Sequence, residues 1–213
     1  MPTSAAEILR RLEAAYGTAH PHLPRPPLET LVACILSQHT SDANSHRAFE
    51  RLRERFPTWA DVATAPEQSI EAAIRVGGLG RSKARTLKRV LAAIHASEGH
   101  YSLNRLSSLP TDEAREFLLR LPGVGPKTAA IVLCFSMGRP VLPVDTHVHR
   151  VSKRLGLIGP RVGAERAHEE LADRVPPELV YRFHVALIRH GRRTCRARRP
   201  LCAQCPLRDL CPS

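Results

Sequence analysis

Leu121-Pro122-Gly123-Val124-Gly125-Pro126-Lys127-Thr128-Ala129 decides how this chain is read. Two glycines one residue apart, between runs with helical apolar spacing, predict a hairpin that opens a helix, with Lys127 in its first turn. A turn of this form exposes consecutive backbone N–H groups. The helix behind it adds free amides and the positive end of its dipole, making an anion site suited to a DNA phosphate. Glycine serves at Gly123 and Gly125 because the turn takes positive φ and the phosphate must come close to the backbone. Such contacts hold nucleic acid without reading its sequence. A nucleotide-binding phosphate loop needs glycine directly before Lys-Thr, and Pro126 fills that slot.

Lys127 fits two roles on this stretch alone: a surface contact to phosphate, or a nucleophile. A cation is disfavoured at the positive end of a helix. Burial beside an extruded base would lower it further from its usual pKa of about 10.4. Both effects raise the fraction of free amine, which nucleophilic attack requires. Eighteen residues further on, Val144-Asp145-Thr146-His147 sets an aspartate at another helix start. Asp145 can cap that helix. Capping and catalysis are compatible, because a capping carboxylate is held oriented as the anion. Beside a sugar it can stabilise positive charge at C1′ as a base departs, and it can help to activate the lysine.

Charge points the same way. The 213 residues carry 32 Lys+Arg against 20 Asp+Glu, a net charge of +12, with pI about 10.3. That balance favours a polyanionic partner. Aromatic residues, at 4%, are too few for a single-strand stacking platform. Arginine outnumbers lysine 28 to 4, and its planar fork suits phosphate, although a GC-rich genome also raises the ratio. No apolar run is long enough to span a membrane. Residues 4–16 are amphipathic and lack the apolar centre of a signal peptide. A monomer in the cytoplasm, associated with the nucleoid, is expected.

In a reducing compartment six cysteines call for a metal or redox role rather than disulfides. Cys195, Cys202, Cys205 and Cys211 follow C-x6-C-x2-C-x5-C. Four thiolates in so short a segment predict one metal centre. One [4Fe–4S] cluster takes four cysteines and tolerates uneven loops. A structural zinc, whose ligands usually come as two tight pairs, stands as the alternative. Cys34 and Cys134 lie in apolar runs and read as small buried thiols. Residues 189–213 hold seven arginines and one aspartate, so half of the net charge sits there. A cluster loop can hold Arg192, Arg193 and Arg196 outward toward phosphates; a solvated charge run is the plainer reading.

Apolar residues recur at three and four spacings over 4–16, 28–37, 43–56, 66–76, 82–97, 112–120, 127–137, 146–155, 163–175 and 178–190, with proline and glycine between them. No convincing alternating strand interrupts them, and Pro143 breaks the extended Val141–Val144. The predicted fold class is all-α, with about ten helices.

LPGVGPKTA at 121–129, PVDTHVHRV at 143–151, HGRRTC at 190–195 and the cysteine spacing together resemble the bacterial endonuclease III family, DNA glycosylase/AP lyases of the helix–hairpin–helix superfamily. The resemblance runs from about Leu28 to Cys211. It implies a six-helix domain at about 20–139 ending in the hairpin motif. A cluster domain would join 1–19 to 140–213, with duplex DNA across the cleft between the two. It implies Lys127 as nucleophile, Asp145 as its carboxylate partner, and the four cysteines as ligands of one [4Fe–4S] cluster. Arg150 of the second motif is expected at the DNA. Leu36–Asp42 resembles the loop that fills the gap left by an extruded nucleotide, with Gln38 or His39 as the filler. Gly77–Lys83 resembles the loop that wedges the opposite strand with Leu79, for which a helix-terminal core residue is the alternative. Pro126 stands where family members carry a basic residue. The implied activity is removal of damaged pyrimidines from DNA and strand cleavage at abasic sites. A monofunctional, adenine-removing glycosylase and a DNA-binding protein without turnover are the rivals.

Overall fold

In the computed structural model of the chain, residues 4–20 and 25–212 are described. Every regular element among them is helical, as the periodicity predicts. The α-helices are α1 (Ala5–Tyr16), α2 (Pro27–Ser37), α3 (Asp42–Arg55), α4 (Trp59–Thr64), α5 (Glu67–Ile74), α6 (Gly80–Glu98), α7 (Thr111–Arg120), α8 (Pro126–Ile131), α9 (Thr146–Arg154), α10 (Ala164–Ala172) and α11 (Val180–Arg193). Short 3-10 turns follow α5 at Arg75–Gly77 and precede α11 at Pro177–Leu179.

The predicted helices are present, and α4 is added to them. Its six residues are too few for a period to show. It is held by a capping box, in which the Thr58 hydroxyl accepts from the Asp61 amide and the Asp61 carboxylate accepts from the Thr58 amide. The helix expected over 127–137 is α-helical only to Ile131 and continues as a π turn over Val132–Ser136. No helix among the described residues is long and apolar enough to cross a membrane.

The chain divides into two compact units. Arg25–Met137 forms one. Its centre is α2, apolar almost all round, with Leu28, Leu31, Val32, Ile35 and Leu36 buried against α3, α6, α8 and the π turn. Ile70 and Ile74 of α5 and Leu87, Leu91 and Ile94 of α6 complete this core. Each such side chain contributes roughly 1.5–3 kcal/mol by leaving water.

The second unit joins the described residues up to His20 to those from Gly138 onward. Here α11 packs on both α1 and α9, with Ile8, Leu12, Val148, Val151, Phe183 and Leu187 inside. The Arg182 guanidinium pairs with both carboxylate oxygens of Glu13, tying α11 to α1. Arg11 donates to Glu7 on its own helix and, at 2.6 Å, to Asp209 near the last cysteine.

Candidate active site and cysteine loop

In the first unit the two hairpin glycines serve different ends. Gly123 takes φ +79°, and a Cβ there would stand 2.9 Å from Thr86 Cγ2 of α6. Gly125 is extended, at φ −101° and ψ 178°, and a Cβ there would meet nothing within 4 Å. The fold therefore demands glycine at 123. At 125 glycine leaves open space beside the hairpin amides, as an approaching phosphate needs. The Val124 amide closes the turn on the Leu121 carbonyl at 3.1 Å. Pro126 occupies the first helical position, where its missing N–H has no intrahelical partner to lose.

Lys127 comes next. It is exposed, and no hydrogen bond or ion pair within the described residues engages its amine. Its charge reaches Cys34. Burial pushes that thiol up to about 12, with the lysine opposing it, and burial alone pushes Cys134 up to about 12. Both stay protonated at neutral pH, as inert packing thiols do. Cys134 is buried; Cys34 is only partly so, against the expectation that both are enclosed.

Gln38 and His39 lie exposed just beyond α2, and His39 has φ +52°. Leu79 has φ +51° directly before α6 and is 57% exposed, so it is no helix-terminal core residue. Left-handed backbone is uncommon for residues other than glycine, and bulky leucine is a poor fit to it. Among the described residues only His39, Leu79 and Arg199 adopt it without being glycine. Strain of this kind persists only where the surroundings impose it. Behind both loops lies Lys83, in the first turn of α6. It is 3% exposed, and its amine donates to the carbonyls of Leu36 and Gly77, each at 2.8 Å.

In the second unit Asp145 caps α9. Its Oδ1 accepts from the amides of His147 (2.9 Å) and Val148 (2.7 Å), which fixes the carboxylate's orientation. The extended segment before it is pinned by two histidines. His168 Nδ1 lies 3.1 Å from the Leu142 carbonyl, and His184 Nδ1 lies 2.8 Å from that of Pro143.

Arg150, expected at the DNA, has all three guanidinium nitrogens engaged within its own unit. Nε and Nη2 donate to the Cys195 carbonyl at 3.1 and 3.0 Å, Nη2 to that of Gly191 at 2.9 Å, and Nη1 to that of Thr146 at 3.3 Å. In this structure it braces α9 against the cysteine loop. Gly191 permits the approach, since a Cβ there would stand 3.0 Å from His147 Cβ and 3.2 Å from Arg150 Nη2. Arg154, which no motif singled out, donates to Cys195 Sγ at 3.3 Å and to the carbonyls of Arg196 and Ala197 at 2.7 and 3.2 Å. His190 is buried, with Nδ1 2.9 Å from the Tyr16 hydroxyl and Nε2 3.8 Å from Cys205 Sγ. Burial, then the Arg150 charge, lowers its imidazole to about 4, so it is neutral near pH 7. Arg192, Arg193 and Arg196 are exposed. Arg193 lies over the Tyr16 ring at 5.7 Å, and the Arg196 Nε donates to the Arg193 carbonyl.

None of the four loop cysteines is in a disulfide; Cys202 is exposed, and Cys195, Cys205 and Cys211 are partly so. Burial pushes the Cys205 thiol up, and the other three sulfurs are near enough to push it the same way. Four thiolates so close repel one another unless a cationic centre joins them. The Arg154 guanidinium at Cys195 and the His190 ring at Cys205 supply the outer contacts that metal-bound sulfurs usually have. The donor set thus fits an iron–sulfur core. Among the described residues no group of His, Cys, Asp and Glu side chains is gathered around a single-ion position.

A hairpin-mounted lysine, an aspartate at a helix start and a cysteine loop stapled by arginines define a helix–hairpin–helix DNA-repair architecture. The family model for HhH-GPD superfamily base excision DNA repair proteins matches residues 32–177, and that for the iron–sulfur binding domain of endonuclease III matches residues 195–211. Endonuclease III of Sulfolobus acidocaldarius is 36% identical over 184 residues, 85% of this chain and 80% of the relative. A provisionally named DNA glycosylase of Arabidopsis thaliana is 38% identical over 165 residues; the match spans 78% of this chain but 56% of that protein. The solved structure of a trapped covalent endonuclease III–DNA intermediate superposes with a TM-score of 0.83 at 34% identity, covering 99% of this chain and 96% of that one. The chain belongs to the endonuclease III family of HhH-GPD superfamily base excision DNA repair proteins. Its 195–211 segment is the family's iron–sulfur binding domain.

Proposed function

We propose that this protein is a bifunctional DNA glycosylase and abasic-site lyase. It acts as a monomer, removes oxidised pyrimidines from duplex DNA and cuts the strand 3′ to the abasic site. Lys127 carries the reading: an exposed amine with no partner in its unit, one residue behind a hairpin suited to a backbone phosphate. The likeness to a trapped covalent endonuclease III–DNA intermediate supports a covalent nucleophile here. On this reading 20–139 is the hairpin domain, and 1–19 with 140–213 the cluster domain.

The damaged nucleotide leaves the stack at a cost of a few kcal/mol. Gln38 or His39 on one strand and Leu79 on the other offset that cost by taking its place. The Lys127 Nζ lone pair forms a bond to C1′. The glycosidic bond breaks with its electron pair going to the base, which leaves protonated. The Asp145 carboxylate stabilises the positive charge that grows at C1′ and passes the proton that the amine sheds to the departing base. The C1′–O4′ bond then opens to a Schiff base. Loss of a C2′ proton drives β-elimination, in which the C3′–O bond breaks and the phosphate departs on the downstream strand. Water frees the lysine. Arg192, Arg193 and Arg196 hold phosphates, with Arg150 fixing the loop that carries them. Cys195, Cys202, Cys205 and Cys211 would hold one [4Fe–4S] cluster, which would cross-link this loop and shape it.

Borohydride added during turnover on a duplex with one oxidised pyrimidine should leave a covalent protein–DNA adduct, and Lys127→Ala should abolish it. Full trapping by Lys127→Ala would overturn the nucleophile. Base release without strand cleavage by the native protein would make it a monofunctional glycosylase.

A further inference from the structure

We infer that Lys83 is a positioning residue that couples the two loops, so that the Gln38-His39 tip and Leu79 enter and leave the duplex as one unit. The inference rests on the reading of 36–42 and 77–83 as duplex-entering loops.

A lysine buried to 3% is rare without an anionic partner, and Lys83 has none. Its amine is held instead by two backbone carbonyls, Leu36 at the end of α2 and Gly77 just before Leu79. Leu36 stands two residues before Gln38 and three before His39; Gly77 stands two residues before Leu79. Each carbonyl thus stands two or three residues before a position whose backbone is left-handed at a residue other than glycine. The packing leaves no slack between them. A Cβ on Gly77 would stand 3.1 Å from Ala48 Cβ of α3, 3.8 Å from the Leu36 carbonyl and 3.8 Å from Lys83 Nζ. Burial lowers the Lys83 pKa, and the two carbonyls accept the hydrogen bonds that water would otherwise take.

One ammonium shared between two carbonyls ties their positions together. If either loop shifts, the amine must follow it, which lengthens its bond to the other. The strained tips are then over-determined by one anchor. A core that needed only volume here would take leucine or methionine, at the cost of two unsatisfied carbonyls. Coupling predicts something that packing alone does not: removing the two tips has non-additive effects on nucleotide extrusion.

The test is a double-mutant cycle on the full chain with its cluster. Extrusion is read from 2-aminopurine fluorescence opposite an abasic-site analogue. Gln38→Ala/His39→Ala, Leu79→Ala and their combination are compared in the native and Lys83→Met backgrounds. In the native background the combined loss should fall short of the product of the separate losses by about fivefold to tenfold. In Lys83→Met the losses should multiply to within about twofold. Lys83→Arg, which keeps the cation, should restore part of the coupling. An unchanged coupling factor in Lys83→Met overturns the inference and leaves Lys83 a packing residue, whatever its melting temperature. If neither tip substitution alters extrusion, the reading of the loops falls, and the coupling with it. Hydrogen exchange on the native protein needs no variant. Amides of 37–41 and 78–80 should open with one common constant and gain protection together on DNA; two unrelated constants would refute the coupling.

Discussion

Gly123→Ala and Gly125→Ala should separate folding from DNA binding within one hairpin. At 123 an alanine meets two penalties. Left-handed backbone costs an L-residue about 1–2 kcal/mol. A Cβ 2.9 Å from Thr86 Cγ2 forces an overpacked contact, about 1–3 kcal/mol. Together they should remove about 3 kcal/mol, lowering the melting temperature by roughly 6–12 °C for a chain of this size. Thr86→Ser deletes only the offending methyl and keeps the hydroxyl's bond to the Ser82 carbonyl at 3.0 Å. Added to Gly123→Ala it should recover about 1 kcal/mol, the overpacking share, and leave the backbone share lost. Gly125→Ala breaks neither rule, since φ is −101° and nothing lies within 4 Å of the new methyl. Its stability should stay within about 0.5 kcal/mol of native. Its affinity for a lesion-containing duplex should fall roughly 10- to 100-fold, because the methyl displaces a phosphate from charge-assisted amide bonds worth about 1.5–3 kcal/mol. Urea unfolding and fluorescence anisotropy measure the two quantities. A Gly123→Ala chain as stable as native, or a Gly125→Ala chain that binds DNA normally, would refute this account of the hairpin.

Asparagine caps a helix about as well as aspartate, so Asp145→Asn should cost little stability yet slow base release about 100-fold or more in single-turnover assays. Asp145→Ala should add a loss of about 1 kcal/mol of stability from the missing cap; equal rates for native and asparagine chains would remove the carboxylate from the chemistry. Arg154→Met deletes donors to Cys195 Sγ and to the Arg196 and Ala197 carbonyls. It should lower both iron content and stability, the latter by about 2 kcal/mol, and a fully loaded, native-like variant would show that the brace is dispensable. Glu7 is held at about 2 by hydrogen bonds from Arg10 and then Arg11, below its ordinary 4.5. Folded protein therefore binds fewer protons than unfolded protein between those values. The stabilisation is complete above about pH 4.5 and lost as pH falls toward 2. Glu7→Gln should flatten that part of a melting-temperature profile, and an unaltered profile would contradict the assignment.

Helices with long apolar stripes were legible from spacing, because burial imposes the period directly. α4 was not, since one and a half turns leave no period and only its capping box betrays it. Lys83 shows a subtler loss. It stands on the stripe of Ala84, Leu87, Val90, Leu91 and Ile94, so a cation on an apolar face was there to be noticed. Its two carbonyl partners depend on backbone brought together from distant segments, which no local pattern reports. Arg150 illustrates the same limit for charge. Sequence counts a guanidinium toward the basic total, whereas the fold spends its donors on three carbonyls. Gly123 was readable for its turn, yet the contact with Thr86 that makes it obligatory comes from packing.

The pairing of α1 with α11, and of Arg11 with Asp209, bears on how the molecule is made. The whole of Arg25–Met137 lies between the partners in sequence and forms a compact unit of its own. During synthesis that middle block can therefore settle while α1 still waits. The Arg11–Asp209 pair forms only after Asp209 is made, 198 residues behind Arg11. A chain that stops after Met137 holds the hairpin block but lacks the cysteine segment that would carry iron.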